Sequence, residues 1–298
     1  MSEQTKIEWA DSTLNPWIGC TQVNPACDDC YAARSTPART LGVAWGVRQS
    51  RRRTSAGNWQ QPRKWDAAAE SFQAEHGRRR RVFCASLADV FDNEVSSEWR
   101  EDLWQLIADT PNLDWLLLTK RIGNVNHMLP QAEDFAALYP NVWIGATVCN
   151  QAEAVRDLPK LMATPARIRL LSIEPLIGPI RLLSKSVTAD LSGLHWVIVG
   201  GESGSSARPM SPDWVRDLRD QCAVNQIPFM LKQWGEWIPM LGQAEGVPVQ
   251  PNKVTTEDGW VMGWAGKKAS GRSLDGQVHN GYPSQVLVQV SGLDLKGD

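Results

Sequence analysis

The stretch "NVWIGATVCNQAEAVRDLPKLMATPARIRLLSIEPL", residues 141–176, sets the fold class. It opens on an apolar, β-branched run (141–148) and passes through a capping residue into a segment with one apolar stripe. It closes on a second apolar run (167–176). Apolar runs of strand length around an amphipathic helix read as strand, crossover helix and parallel strand, buried on both faces. The same unit recurs outward in both directions. Apolar runs stand at "RVFCASL" (81–87), "DWLLLTK" (114–120), "HWVIVGGES" (195–203) and "PFMLKQWGEW" (228–237), with a first strand expected near "KIEWADST" (6–13). Between them, "SSEWREDLWQLIADTP" carries Trp99, Leu103, Leu106 and Ile107 on one face with Ser97 as its expected N-cap, and "SPDWVRDLRDQCAVNQ" places Pro212 in its first turn. The fold class is therefore α/β: a partial (β/α) barrel of about six or seven parallel strands, or the related doubly wound sheet. In both, ligands bind at the C-terminal ends of the strands.

Two regions break the repeat. Residues 33–80 form a long basic insertion after the first strand, and residues 240–298 read as an irregular extension with some β character. The expected division is a barrel over 1–239 and a C-terminal extension over 240–298. At 298 residues with 42% hydrophobic and 21% charged side chains, the chain can bury a large core as a globular protein. No apolar run approaches the length that spans a bilayer, so no membrane partner is expected. The polar, acidic start "MSEQTKIEWADS" lacks the pattern of a signal peptide. A cytoplasmic location follows, where thiols stay reduced and clustered cysteines point to metal or catalysis rather than disulfides.

Three of six cysteines, Cys20, Cys27 and Cys30, fall in the loop "NPWIGCTQVNPACDDCYA" (15–32) with C-x6-C-x2-C spacing. Three thiolates suit either a zinc completed by a distant ligand or a [4Fe–4S] cluster with one iron left open. Cys84, Cys149 and Cys222 read as small core residues, and none of His76, His127, His195 and His279 repeats a ligand spacing.

The loop resembles the cluster-binding loop of the radical S-adenosylmethionine (radical SAM) enzymes, whose three cysteines follow the first strand of a partial (β/α) barrel. The strings "IEWADSTLNPWIGCTQVNPACDDCYA", "SIEPL" and "VIVGGESG" are also similar to a widespread group of phage and prophage proteins of uncharacterised function with a radical-SAM-like three-cysteine motif. The likeness spans roughly residues 5–240. The first gap is six residues where radical SAM loops most often have three, and Asp29 stands where an aromatic residue often precedes the third cysteine. The resemblance implies a [4Fe–4S] cluster on Cys20, Cys27 and Cys30, S-adenosylmethionine as cofactor, and a bacterial or phage-infected cell as setting.

Cofactor contacts are expected where apolar runs end in polar residues: Ser86 in "SLADVF", Thr119 and Lys120 in "LLTKR", Glu174 in "LLSIEPLIG", and Gly200, Gly201 and Glu202 in "VIVGGESG". Tyr31 joins them beside Cys30. No single catalytic residue stands out. Trp17 and Ile18 would wall the cluster or pack in the barrel mouth. The arginine runs Arg51, Arg52, Arg53 and Arg78, Arg79, Arg80, Arg81, interleaved with Trp45, Trp59 and Trp65, would hold a nucleic-acid or nucleotide substrate by phosphate contact and stacking. Solvated surface charge is the plain alternative reading, and the formal net charge of −2 adds no global field. A reading from another class remains open: a zinc- or cluster-stabilised nucleic-acid-binding protein without radical chemistry.

Overall fold

The computed structural model describes residues 3–34, 39–184, 187, 190–242 and 245–283. Seven parallel strands follow one another in chain order in a single sheet. They are β1 (Ser12–Thr13), β2 (Arg80–Cys84), β3 (Leu113–Thr119), β4 (Val142–Thr147), β5 (Ile168–Ile173), β6 (Trp196–Gly200) and β7 (Phe229–Gln233). The end strands do not pair with each other, so the barrel is partial. Its curl shows in the inner core, where Trp9 beside β1 and Met230 of β7 belong to one cluster with Phe83, Leu116, Trp143, Leu170 and Trp196. The two edges meet through the chain beyond β7, where the Tyr282 hydroxyl donates to Glu8 O (3.0 Å).

Helices cover the outer face: α1 (Ala69–His76), α2 (Ser97–Ala108), α3 (Ile122–Met128), α4 (Gln151–Met162) and α5 (Pro212–Val224). Their apolar stripes, with Leu103, Ile107, Leu158 and Leu218, meet the alternate strand residues Val82, Trp115, Leu117, Ile144 and Val197 in the larger core. Asn150 caps α4 by accepting from the Glu153 amide, and Ser211 caps α5 by accepting from Asp213. Ser97 is not the cap of α2. Ser96 holds that position in extended backbone, without a side-chain bond, and Ser97 begins the helix.

The first strand is much shorter than the expected 6–13. Only Ser12 and Thr13 pair with β2, because Trp9 and Ala10 turn into the inner core instead of continuing the ladder. The second part of the basic insertion is helical (Ala56–Trp59, Gln61–Ala67 and α1), and Trp59 and Trp65 bury against the outer core. After β7 the chain forms a three-stranded antiparallel sheet in the order Trp237–Pro239, Val261–Trp264, Lys253–Thr255. It then returns along the free edge of β7, where the Leu231 amide donates to His279 O and the Gly281 amide to Phe229 O. Residues 284–298 of the expected extension lie outside the described residues. Among the described residues no helix is long and apolar enough to cross a membrane.

Candidate functional site

Inward side chains change character along the strands. The floor is apolar and sealed: the Trp196 indole N–H donates to Gly281 O (2.7 Å), and the Arg81 guanidinium lies over the Tyr282 ring (4.3 Å). Above Trp9, Phe83 and Leu118 the interior opens into a cavity of about 520 Å³ at the C-terminal strand ends. This is the position at which a parallel barrel presents its loops. Cys20, Cys27 and Cys30 line this cavity together with Tyr31, Ser86, Thr119, Lys120, Glu174, Gly201 and Glu202.

The cysteine loop is tied to the barrel at several points. Gly19 bridges Ala88 in parallel, and Trp17–Ile18 pair antiparallel with Arg52–Arg53 of the insertion. A 3-10 turn, Pro25–Cys27, carries the second thiol, and the Cys30 amide donates to Cys27 O (3.3 Å). Asp89 is the hub beneath the loop. Its carboxylate accepts from the Thr119 hydroxyl (2.8 Å), the Lys120 amide (3.1 Å) and Arg121 Nη1 (3.1 Å). Arg121 in turn donates to Cys20 Sγ (3.3 Å) and Thr21 O (2.7 Å). Burial first, then the charge of Asp89, pushes the Cys20 thiol up to about 11, against the opposing pull of Arg121. Burial works against the charge on Arg121, but Asp89 and Cys20 hold its pKa above the usual arginine value.

Glu174 and Lys232 form an ion pair on the opposite wall (2.9 Å), both side chains largely buried. Desolvation opposes the charge on Lys232, but Glu174 outweighs it and keeps the ammonium's pKa raised. Gly200 makes room for that pair, since a Cβ there would sit 2.5 Å from Glu174 Oε1. At Gly201 a Cβ would meet Trp234 O at 1.9 Å, so this glycine lets two strand-end loops cross. Gly201 also lines the cavity. Gly200 itself lies behind the cavity wall.

The remaining expectations divide. The Glu202 carboxylate does not face a cofactor freely: it accepts from Arg208 N, Nε and Nη2 at 2.8, 2.8 and 2.6 Å. Thr119 is buried and oriented by Asp89, and the Ser86 hydroxyl accepts from Asn15 Nδ2 (3.0 Å). Tyr31 keeps an exposed ring while its hydroxyl donates to Ser86 O (2.8 Å). Lys120 has no carboxylate partner for its ammonium among the described residues. Trp17 packs in the outer core, whereas Ile18 sits with Cys30 in a small cluster beside the loop. Cys84, Cys149 and Cys222 are buried, and burial raises their pKa values, to about 12 for the latter two.

Sequence reading missed Lys232, Thr147 and Ser172, which also line the cavity. Lys232 left a signal, a lone charge inside the apolar run "FMLKQ" at an inward position.

The arginine runs are tied into the fold, with Arg52 and Arg53 still exposed. Arg51 is buried on Asp92 (2.8 Å) and Glu94 (2.9 Å), and Arg81 is buried at the floor. Arg53 pairs with Asp102, Arg78 with Asp11 and Arg79 with Asp114. Arg80 stacks over Phe72, and Arg52 donates to Leu41 O. Each is engaged within the fold, and none lines the cavity.

Among the described residues, no group of three His, Cys, Asp or Glu side chains is gathered closely enough to hold a metal ion as it stands. The Cys27 thiol donates to Asn24 Oδ1 (3.2 Å) and the Cys20 thiol to Thr21 O (3.6 Å). The donor set nevertheless fits an iron–sulfur cluster chemically. Three partly exposed thiols of one loop share one cavity wall, and a guanidinium lies beside one sulfur.

Fold and cavity together define a parallel α/β half-barrel protein with a cysteine-walled pocket at its strand ends. Over residues 4–283 the chain matches the family described as "Protein of unknown function (DUF5131)", and it belongs to that family. No curated protein matches it. Two solved structures resemble it: a spore photoproduct lyase mutant with bound AdoMet and dinucleoside spore photoproduct, and spore photoproduct lyase complexed with dinucleoside spore photoproduct. Each has 11% sequence identity and a TM-score of 0.40, covering 88% of this chain and 70% of that chain.

Proposed function

We propose that this protein is an iron–sulfur enzyme of radical SAM type, with Cys20, Cys27 and Cys30 as the ligands of a [4Fe–4S] cluster. The observation that carries this reading is that the three loop cysteines and the polar ends of the strands open on one cavity. The likeness of the loop to radical SAM cluster loops supports it. When bound, the cluster and S-adenosylmethionine would supply a 5′-deoxyadenosyl radical by one-electron cleavage of the cofactor's C–S bond. The chain's own residues bind, orient and shield. Trp9, Phe83 and Leu118 exclude water from the cavity floor. Glu174, held by Lys232, presents a carboxylate to an amine or a ribose. Lys120 offers an ammonium to a carboxylate or phosphate.

The substrate in this reading is a nucleotide or nucleic acid. The cavity itself supports that class. The exposed ring of Tyr31, the half-buried Trp45 and the lysines Lys120 and Lys267 line its mouth. They offer stacking faces and cations to a base and its phosphate.

Anaerobically purified chain is expected to carry close to four irons and four sulfides and, with a low-potential reductant and S-adenosylmethionine, to release 5′-deoxyadenosine. Stoichiometric zinc without iron–sulfur absorbance overturns the reading in favour of a structural metal.

A further inference from the structure

The six residues between Cys20 and Cys27 are gripped by arginines at both ends. Arg121, just past β3, donates from Nη2 to Thr21 O (2.7 Å). Arg208, past β6, donates from Nη2 to Pro25 O (2.9 Å) and from Nη1 to Asp28 Oδ2 (3.3 Å). Each arm is fixed in turn by a buried carboxylate at a strand end. Asp89 holds Arg121 (3.1 Å) and Glu202 holds Arg208 (2.6 Å). Arg51 adds a third hold, donating from Nη2 to the Thr21 hydroxyl (2.6 Å). The loop is therefore set by rigid strand ends and not by its own turns alone.

The two arms differ in one respect. Arg121 Nη1 also donates to Cys20 Sγ at 3.3 Å, with only 9% of its side chain exposed. Arg208 makes no hydrogen bond to a cysteine sulfur among the described residues, and its charge faces Glu202 and Asp28. A cation that close to a ligating sulfur, shielded from water, stabilises whichever redox state carries more negative charge. For a cluster that is the reduced state.

We propose that Arg121 and Arg208 are positioning residues that clamp the long Cys20–Cys27 gap, and that Arg121 additionally raises the reduction potential of the cluster. This rests on the reading that the three cysteines hold a cluster. The two arms predict different signatures. Arg208→Gln loosens the loop but leaves the potential alone. Arg121→Gln removes the cation from the sulfur and lowers the potential.

The full-length chain is reconstituted anaerobically, and its iron and sulfide are counted before any variant is compared. Wild-type protein without iron fails the cluster reading itself. Midpoint potentials then come from a redox titration followed by electron paramagnetic resonance, and cluster hold from the rate of iron loss to a chelator. Arg208→Gln is expected to lose iron on the order of 10-fold faster at an unchanged midpoint. Arg121→Gln is expected to show a more negative midpoint. Arg121→Lys, which keeps the charge without the fork, should restore most of that midpoint while still losing iron faster than wild type. An Arg121→Gln protein with full iron and the wild-type midpoint overturns the proposal. So does an Arg208→Gln protein whose midpoint falls as far as that of Arg121→Gln, and so does a midpoint drop in Arg121→Gln that Arg121→Lys does not relieve.

Discussion

The floor and the mouth of the barrel interior are made by the same strands, a few residues apart, and are chemically opposite. Along the inward register of β3 and its end the order is Leu116, Leu118, Lys120, along β5 Leu170, Ser172, Glu174, and on β7 Met230, Lys232. Side chains alternate across a strand, so each two-residue step moves one layer up the interior. Below, aromatic rings fill the space and the returning chain at Gly281 and Tyr282 closes it. Above, charges and thiols face a cavity. Depth along the strand, and not strand identity, separates residues that hold the fold from residues available for chemistry.

The sharpest way to break this contrast is at one thiol of the mouth. Cys27→Ala is expected to abolish iron binding and 5′-deoxyadenosine release. In metal-free protein its unfolding free energy should stay within about 1 kcal/mol of wild type, because the side chain sits half-exposed in a loop. Iron counts and urea unfolding read both. A large loss of stability would mean that the loop is part of the core.

Trp196→Ala tests the floor. This indole is fully buried and bonded to Gly281 O, so the change should cost about 3–5 kcal/mol in urea unfolding. A cost below about 1 kcal/mol would show that the floor can collapse without it.

Asp114, near the floor, gives a pH signature. Burial outweighs Arg79 and Arg81 and pushes its carboxyl up to about 6 from an ordinary value of 3.8. The folded state then holds a proton that the unfolded state has lost between these values. The stability contributed by neutral Asp114 is full below about pH 4 and is lost as pH rises through 6. Asp114→Asn should therefore stabilise the protein above pH 6 by up to roughly 3 kcal/mol and make no difference near pH 4. Thermal unfolding across that range checks the sign. A variant less stable at pH 7 would mean that pairing with Arg79 outweighs burial.

Gly200→Ala sharpens the contrast at the boundary itself. The added methyl meets Glu174 at 2.5 Å, and the expected cost is about 1–3 kcal/mol together with displacement of the carboxylate from Lys232. A crystal structure of the variant with the ion pair intact would count against that geometry.

Much of the scaffold was legible because it is local. Each of the apolar runs from "RVFCASL" onward holds its strand within the expected span or extends it by one residue, since an unbroken apolar run between capped amphipathic segments has few other uses. The first strand misled because Trp9 prefers the inner core to the ladder, a tertiary choice with no local mark. Cys84, Cys149 and Cys222 were readable as core from their apolar surroundings. Lys232 is legible only in part: its charge stands at an inward position, but nothing nearby in the chain marks its partner Glu174.

The arginines show where local reading stops. "RRR" and "RRRR" announce charge but not its partner. Arg51 finds Asp92 across 41 residues, and Arg78 finds Asp11 across 67.

The sequence alone determined the strand–helix repeat, the loop with three thiols and the polar strand ends, because periodicity and spacing are written within a dozen residues. The tertiary structure decided that the thiols and those strand ends share one cavity, and which charges are free to act there. Arg121 reaches Cys20 across 101 residues and Arg208 reaches Asp28 across 180. Contacts at such separations form only when a curled sheet brings its strand ends together, and no local pattern encodes that meeting.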